Sequence, residues 1–537
     1  MNRSFKKLIA VALTLTMGLG AMPHYAYAYE VPEVVRIGLE SICKKKTTAS
    51  ITEKTLLIGT EENGEFQEGG SVSSNSGFTA NLASDEYIAI DEEMAQEEAD
   101  ELSEVLERLG FTAYIAYLGD ENWTVYVSGS SVSDVESASR YSAERVRDFT
   151  GIRLDGSQAS LLLSQEINPA FMGTGAENTF GINGKTYRGI LTFVIREGAM
   201  TAVNIVGLEE YLYGVVPAEM PASYEMEALK VQSIAARTYA MMKISAYLSL
   251  GYEFNDTISC QVYNGYSGES ARTTQAVNAT KGEIACYNGK PIEAYFSAST
   301  GGYTENSENV WANALPYLRA VPEIAEDGDN SWTVTLTLKD LDALLLDKGE
   351  NIGSAEDIVI TKLSTGGRVQ EMQIVGTKGV KTLTKEGIRT YFSAASSGSL
   401  PSKMFTINGK GGEIGVYGGQ TSTGKQKSDA IGGSLANAAA KNGIVAKTEG
   451  ILSSINGKNI SVYEGSSASA SVTPSGDYEV YSVNISTADQ SGRFVIEGMG
   501  RGHGVGLSQK GAQAMAKQGY AYDEILKYYY QDITIEG

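Results

Sequence analysis

The stretch GVVPAEMPASYEMEALKVQSIAARTYAM, residues 214–241, sets one glutamate, Glu219, in an apolar turn among Val215, Val216, Pro217, Met220 and Pro221, directly ahead of a long helical pattern. Desolvation by such neighbours favours the neutral acid and pushes a carboxyl pKa up toward the range useful for proton donation. Prolines on both sides fix backbone dihedrals, so the side chain is held. The ordinary alternative is that Glu219 caps the following helix or pairs with a cation. In that helix Ser223 is a candidate N-cap, Glu225 and Glu227 fall in the first turn, and Gly251 is a candidate stop. The stripe Met226, Leu229, Ser233, Ala236 and Ala240 is rich in small residues, which predicts close packing against the body. Lys230 and Arg237 are able to orient an anionic or polyhydroxylated substrate, although solvation at the surface is the usual fate of such residues.

Two further stretches carry chemistry. GMGRGHGVGLSQKGAQAMAKQG, residues 498–519, follows the strand pattern RFVIEG and opens a helix. Gly506 and Gly511 have the gap of a phosphate-binding loop, but Ala512 stands where lysine is required, and no dinucleotide register exists. What remains is a backbone that a ligand can approach closely, displaying Arg501, His503 and Gln509. The other stretch, YFSASTGGYTENSENVWANALPYL (295–318), combines Ser297 and other hydroxyls with Tyr303 and Trp311. Hydroxyl and aromatic groups together suit carbohydrate, and taken alone they equally suit a well-packed turn.

The N-terminus reads as a cleavable secretory signal over residues 1–28: Arg3, Lys6 and Lys7, an apolar run from Leu8 to about Ala21, then AYA at 26–28. No later stretch approaches ~18 uninterrupted apolar residues, so a secreted protein with no stable membrane anchor is expected. Losing three cations takes the formal charge from −22 to about −25, with nothing basic and clustered to track a phosphate backbone, so nucleic acid is not an expected partner. Cys43, Cys260 and Cys286 are too few for a disulfide framework and lack zinc-binding spacing. Cys260 and Cys286 could pair, although separate buried thiols are the preferred reading. Of two histidines, His24 lies in the signal, which leaves His503 alone and makes a multi-histidine metal site impossible; no metal and no cofactor are expected.

The expected fold class is α+β, with sheets of mixed short strands and a long central helix. VVRIGL (34–39) and TLLIG (55–59) read as the first strands of the main domain, and the Glu-, Gly- and Ser-rich segment from Thr60 to Ser76 reads as a linker, completing residues 29–76. EYIAI, a helix bearing Met94, Leu102, Val105, Leu106 and Leu109, the strands TAYIAYL and NWTVYV, and a helix with Val132, Val135, Ala138 and Val146 make a β-α-β-β-α insertion over residues 77–150. Residues 155–537 are expected to form one further domain that carries the three chemistry-bearing stretches, with a flexible Gly-, Ser- and Ala-rich loop at 411–443. The insertion, best in WTVYVSGSSVSDVESASR, resembles the sporulation-related repeat (SPOR) domains that bind peptidoglycan strands stripped of their peptides. The alternative is a ferredoxin-like packing module with no ligand.

YLYGVVPAEMPASYEMEALKVQSIAARTYA and GRGHGVGLSQKGAQAMAKQGYAYDEILKYYYQDITI, with CQVYNG and SASTGGYTEN between them, resemble the signatures of the stage II sporulation protein D and amidase-enhancer (LytB) family. The resemblance covers residues 34–60 and 155–537. It implies a lytic transglycosylase that cleaves MurNAc–GlcNAc bonds of denuded peptidoglycan strands, with Glu219 of PAEM as acid/base and Lys230 and Arg237 matching cleft residues. Some members carry histidine where Ser297 stands, and some bind zinc. A single carboxylate is consistent with this chemistry, because the muramic acid 6-hydroxyl takes the place of water, whereas hydrolases generally need two acids. The competing expectation is a glycan-binding partner that modulates a cell-wall amidase without catalysis; a surface adhesin is disfavoured because no anchor is read.

Overall fold

The computed structural model describes residues 31–157, 160–392, 399–411, 415–417, 453–455, 458–461, 480–488 and 491–537. The signal expected at 1–28 and nearly all of the loop expected at 411–443 lie outside the described residues. The chain is mixed α+β with several sheets.

The elements begin with β1 (Val34–Gly38), α1 (Glu40–Cys43), β2 (Thr48–Ile51), β3 (Thr55–Glu62), β4 (Glu65–Ser73), β5 (Phe78–Ala83) and β6 (Tyr87–Ile90). There follow α2 (Gln96–Arg108), β7 (Thr112–Gly119), β8 (Asn122–Ser128), α3 (Val132–Ser139), β9 (Ala143–Val146), β10 (Gly151–Asp155) and β11 (Ser160–Ser164). Next come β12 (Pro169–Gly173), β13 (Phe180–Ile182), β14 (Lys185–Tyr187), β15 (Ile190–Arg196), β16 (Ala199–Gly207), α4 (Leu208–Glu219), α5 (Met226–Lys243) and β17 (Phe254–Asn255). A seven-stranded sheet has the order β17-β1-β16-β15-β12-β3-β4, and a ten-stranded sheet the order β14-β13-β2-β5-β10-β11-β7-β8-β6-β9.

The segment expected as a linker after Thr60 instead forms β4, which pairs with β3 from Thr55↔Ser73 to Glu62↔Glu65. Its polar composition is that of an edge strand, since β4 closes the seven-stranded sheet and most of its side chains are in water. The inserted pattern also continues beyond its second helix. Arg140 takes a left-handed conformation (φ 67°) and ends α3, so Val146 falls on a further strand, β9. The unit is therefore β-α-β-β-α-β with the spatial order β9-β6-β8-β7, a ferredoxin-like order.

This unit is not a bead on a string. Parallel pairing of β7 with β11 makes it one end of the ten-stranded sheet, while β5 lies inside the sheet between β2 and β10. One continuous apolar core holds Leu106 and Trp123 of the unit together with Ile37 of β1 and Val215 of α4. Farther along, residues 331–407 and 493–499 gather two smaller sheets around a second core. The third core surrounds α5, whose 18 residues are apolar or small on nearly every side. That helix packs against α4, the helix Ala271–Ala279 and both C-terminal helices, Gln509–Lys517 and Tyr522–Tyr529. Among the described residues no helix is long and apolar enough to cross a membrane.

Trp123 tests the continuity of the first core. It is 1% exposed, lies against Tyr117 and donates its indole N–H to the Gly69 carbonyl at 3.1 Å. Trp123→Ala is expected to cost about 3–5 kcal/mol in denaturant unfolding, with far-UV circular dichroism of the whole chain and the fluorescence of the remaining Trp311 and Trp332 still lost in one transition.

Candidate functional site

Glu219 is the last residue of α4, and the sequence explains why the helix stops there. Met220 precedes Pro221, whose ring disfavours helical dihedrals in the residue before it, and Met220 is extended (φ −132°, ψ 129°). Pro217 within the last turn removes one backbone donor. The carboxylate thus stands at a helix end rather than in the turn expected from sequence, flanked by fully buried Val215, Val216 and Met220.

The CQVYNG segment reaches this helix end because Gly214 has no side chain. A Cβ there would lie 2.7 Å from the Tyr263 ring. Tyr263 is anchored below by its hydroxyl, which donates to Asn204 Oδ1 on β16 at 2.9 Å, and Gln261 donates to the Ala236 carbonyl of α5 at 3.2 Å. Between them the Val262 N–H donates to Glu219 Oε1 at 3.2 Å. Gln509, first residue of the C-terminal helix capped by Ser508, donates to Glu219 and, at 3.2 Å, to Gln232 Oε1 of α5. Burial raises the Glu219 pKa above the ordinary carboxylate value, and these two donors oppose the shift only in part.

An aromatic wall continues from the carboxylate. The Tyr239 hydroxyl of α5 is pushed up in pKa by burial, and secondarily by Cys260 and Glu219. Its ring meets Tyr295 edge-on at 5.9 Å, Tyr295 stacks on Trp311 at 4.1 Å, and Trp311 meets His503 at 5.1 Å. His503 Nδ1 accepts the Val505 N–H at 3.0 Å, and burial pulls the imidazole down to about 4, so it is neutral at pH 7. The loop can fold back in this way because Gly504 is left-handed (φ 77°) and lies against the buried guanidinium of Arg368.

The other residues singled out from sequence are placed as follows. Ser297 is buried beside Gly502, and among the described residues its hydroxyl has no hydrogen-bond partner. Arg501 is exposed and pairs through its backbone with Ser299. Tyr303 lies apart from the aromatic wall, bridged to Pro322, with its carbonyl accepting from Arg368 at 2.9 Å. Lys230 pairs with Glu227 at 2.7 Å and lies over the Tyr522 ring. Arg237 is fully buried, bidentate to Glu209 at 2.8 and 2.6 Å, with further bonds to the Glu283 and Val277 carbonyls. Its donors are spent inside the protein, which makes it a strut between α4 and α5.

Sequence reading passed over Glu323 and Glu326. Glu326 accepts from Ser299 Oγ, the Thr300 and Gly301 N–H groups, Asn330 and Ser508 Oγ, and so ties the hydroxyl-rich loop to the cap of the Gln509 helix. Glu323 accepts from the Tyr529 hydroxyl at 2.6 Å, and burial beside Glu326 pushes it up to about 7. In the sequence both are ordinary charges of a polar segment, with no signal of burial. The three cysteines are free thiols, and among the described residues no three His, Cys, Asp or Glu side chains gather as metal ligands.

A family model described as stage II sporulation protein matches residues 196–287, the segment that carries β16, α4, α5 and CQVYNG. The chain is 30% identical to stage II sporulation protein D of Bacillus subtilis (strain 168) over 352 residues, spanning 63% of this chain and 76% of that protein. It belongs to the stage II sporulation protein D family. The family's amidase-enhancer branch is represented by the amidase enhancer of Bacillus subtilis (strain 168), 32% identical over 363 residues; the match spans 67% of this chain and only 45% of that longer protein. An uncharacterized Brachyspira hyodysenteriae protein is 30% identical over 67% of this chain and 74% of its own length. A second model, described as a domain of unknown function, matches residues 326–418.

Two stability measurements separate the roles of these charges. Arg237→Met leaves Glu209 without its partner and is expected to cost about 3–5 kcal/mol in denaturant unfolding, with part recovered on adding Glu209→Leu. For Glu219 the sign runs the other way. Its folded pKa is raised, so the folded protein binds the extra proton and stability falls as pH rises from the unfolded carboxylate value of about 4.3 through the folded one. Glu219→Gln is therefore expected to melt above the wild type at pH 7, and the difference is expected to close below about pH 4 in thermal scans.

Proposed function

We propose that the protein is a peptidoglycan lytic transglycosylase that cleaves MurNAc–GlcNAc bonds of denuded glycan strands with Glu219 as its one acid/base. The observation that carries this reading is the Glu219 carboxyl itself. It is held by Val262 N–H and Gln509, has a pKa raised by burial, and stands beside a wall of aromatic rings suited to sugar faces. Protonated Glu219 donates to the glycosidic oxygen, and the bond to muramic acid C1 breaks. The resulting carboxylate takes the proton of the muramic acid 6-hydroxyl, whose oxygen closes onto C1. The products are a 1,6-anhydromuramoyl end and a free GlcNAc hydroxyl; no water is consumed and the acid is regenerated. Neutral His503 orients the loop and does not exchange protons at pH 7. Glu323 and Glu326 are tied beneath the Ser299–Gly301 loop and take no part in this scheme.

In this reading the protein is secreted and works at the cell wall, and the β6–β9 unit is a second, SPOR-like glycan contact. A second reading is favoured by one specific finding, the 32% identity to a protein named amidase enhancer: the same cleft binds glycan and modulates a cell-wall amidase without turnover.

The test is Glu219→Gln assayed on purified denuded strands by mass spectrometry. The exchange is nearly isosteric, and loss of general acid/base assistance is expected to lower formation of anhydro ends by about 10³–10⁴-fold while strand binding persists. Wild-type rates in this variant would transfer the claim to the amidase-modulator reading.

A further inference from the structure

Lys243 closes α5 one turn after Tyr239. Its ammonium lies 5.5 Å from the centroid of the Tyr239 ring and 6.0 Å from that of Tyr295. With Met242 and Glu293 these side chains line a pocket of about 210 Å³. Glu219 does not line the pocket; Tyr239, which forms part of its wall, lies within electrostatic range of Glu219 and links the two. Among the described residues Lys243 has no carboxylate within ion-pair distance. Glu293 is occupied differently: one oxygen accepts the Tyr295 hydroxyl at 2.7 Å, which fixes the ring that stacks on Trp311.

Three kinds of group thus face one small space: aromatic faces for the C–H side of a pyranose, the Glu293 carboxylate, turned to the Tyr295 hydroxyl and able to meet sugar hydroxyls, and the Lys243 ammonium, which among the described residues forms no direct ion pair. The overall charge of −22 repels an anionic ligand, so a local cation is needed wherever such a ligand binds. We propose that this pocket is the subsite for the lactyl carboxylate of a muramic acid residue, with Lys243 as the residue that distinguishes peptide-free strands from peptide-bearing ones. The inference rests on the glycan reading above. The discrimination is chemical: on a peptide-free strand the lactyl group is an anion that the ammonium can pair with, whereas on a peptide-bearing strand the same carbon is a neutral amide with a chain attached. Aromatic contact without the cation would treat both alike.

The experiment is calorimetric binding in a Glu219→Gln background, where no turnover interferes. The ligands are a peptide-free GlcNAc–MurNAc tetrasaccharide, its lactyl amide, and chitotetraose, which lacks the lactyl group. The tetrasaccharide is expected to bind about tenfold more tightly than the other two, by an increment that shrinks with added salt. Adding Lys243→Gln is expected to level the three, and Lys243→Arg to retain the preference. An equal loss on all three ligands, a preference that survives Lys243→Gln, or no preference at the outset overturns the proposal. Should the wild type release no anhydro ends while the preference and its loss are both observed, the catalytic reading fails and the subsite stands.

Discussion

A carboxylate placed at the end of a helix and packed among valine, methionine and proline must be met by donors brought from elsewhere, or its burial is uncompensated. Here the donors come from two remote segments. CQVYNG supplies the Val262 N–H, and the helix that follows the last glycine-rich loop supplies Gln509, its first residue. Much of the surrounding architecture serves that meeting. β16 carries the chain into α4, Tyr263 hangs from Asn204 on the same strand, Arg237 clamps α4 to α5, and Gln232 holds the amide of Gln509. The partial nature of the compensation is the functional point: two hydrogen bonds hold the side chain in place and still leave its pKa raised.

The long motifs were legible because their residues are constrained twice, by backbone geometry and by contact. Gly504, left-handed and placed where a side chain would strike Arg368, is an example; Gly214 is held by contact alone, against Tyr263. Strands with alternating apolar residues, such as TLLIG and NWTVYV, were legible for the usual reason of periodicity. The edge strand β4 was not, because one solvated face and an open edge leave it with a loop's composition. Nor was the helix α4, whose glycine and proline read as turn residues although its neighbours bury it.

Charged side chains were the least legible part of the site. Lys230 and Arg237 lie on the same helix as Lys243, and all three look alike in sequence. In the fold the first pairs with Glu227, the second is enclosed by Glu209 and backbone carbonyls, and the third faces a pocket. Glu323 and Glu326 show the same limit for acids. The names borne by the protein's relatives, sporulation protein and amidase enhancer, leave catalysis and modulation both open.

The measurement that separates them most directly is digestion of purified denuded strands by the wild-type protein in oxygen-18-labelled water, with mass analysis of the new ends. Internal attack by the 6-hydroxyl predicts anhydromuramoyl ends that carry no label. Labelled reducing ends would mean that water enters and that Glu219 has an unrecognised partner acid; strands left intact would contradict cleavage and leave the amidase-modulator reading.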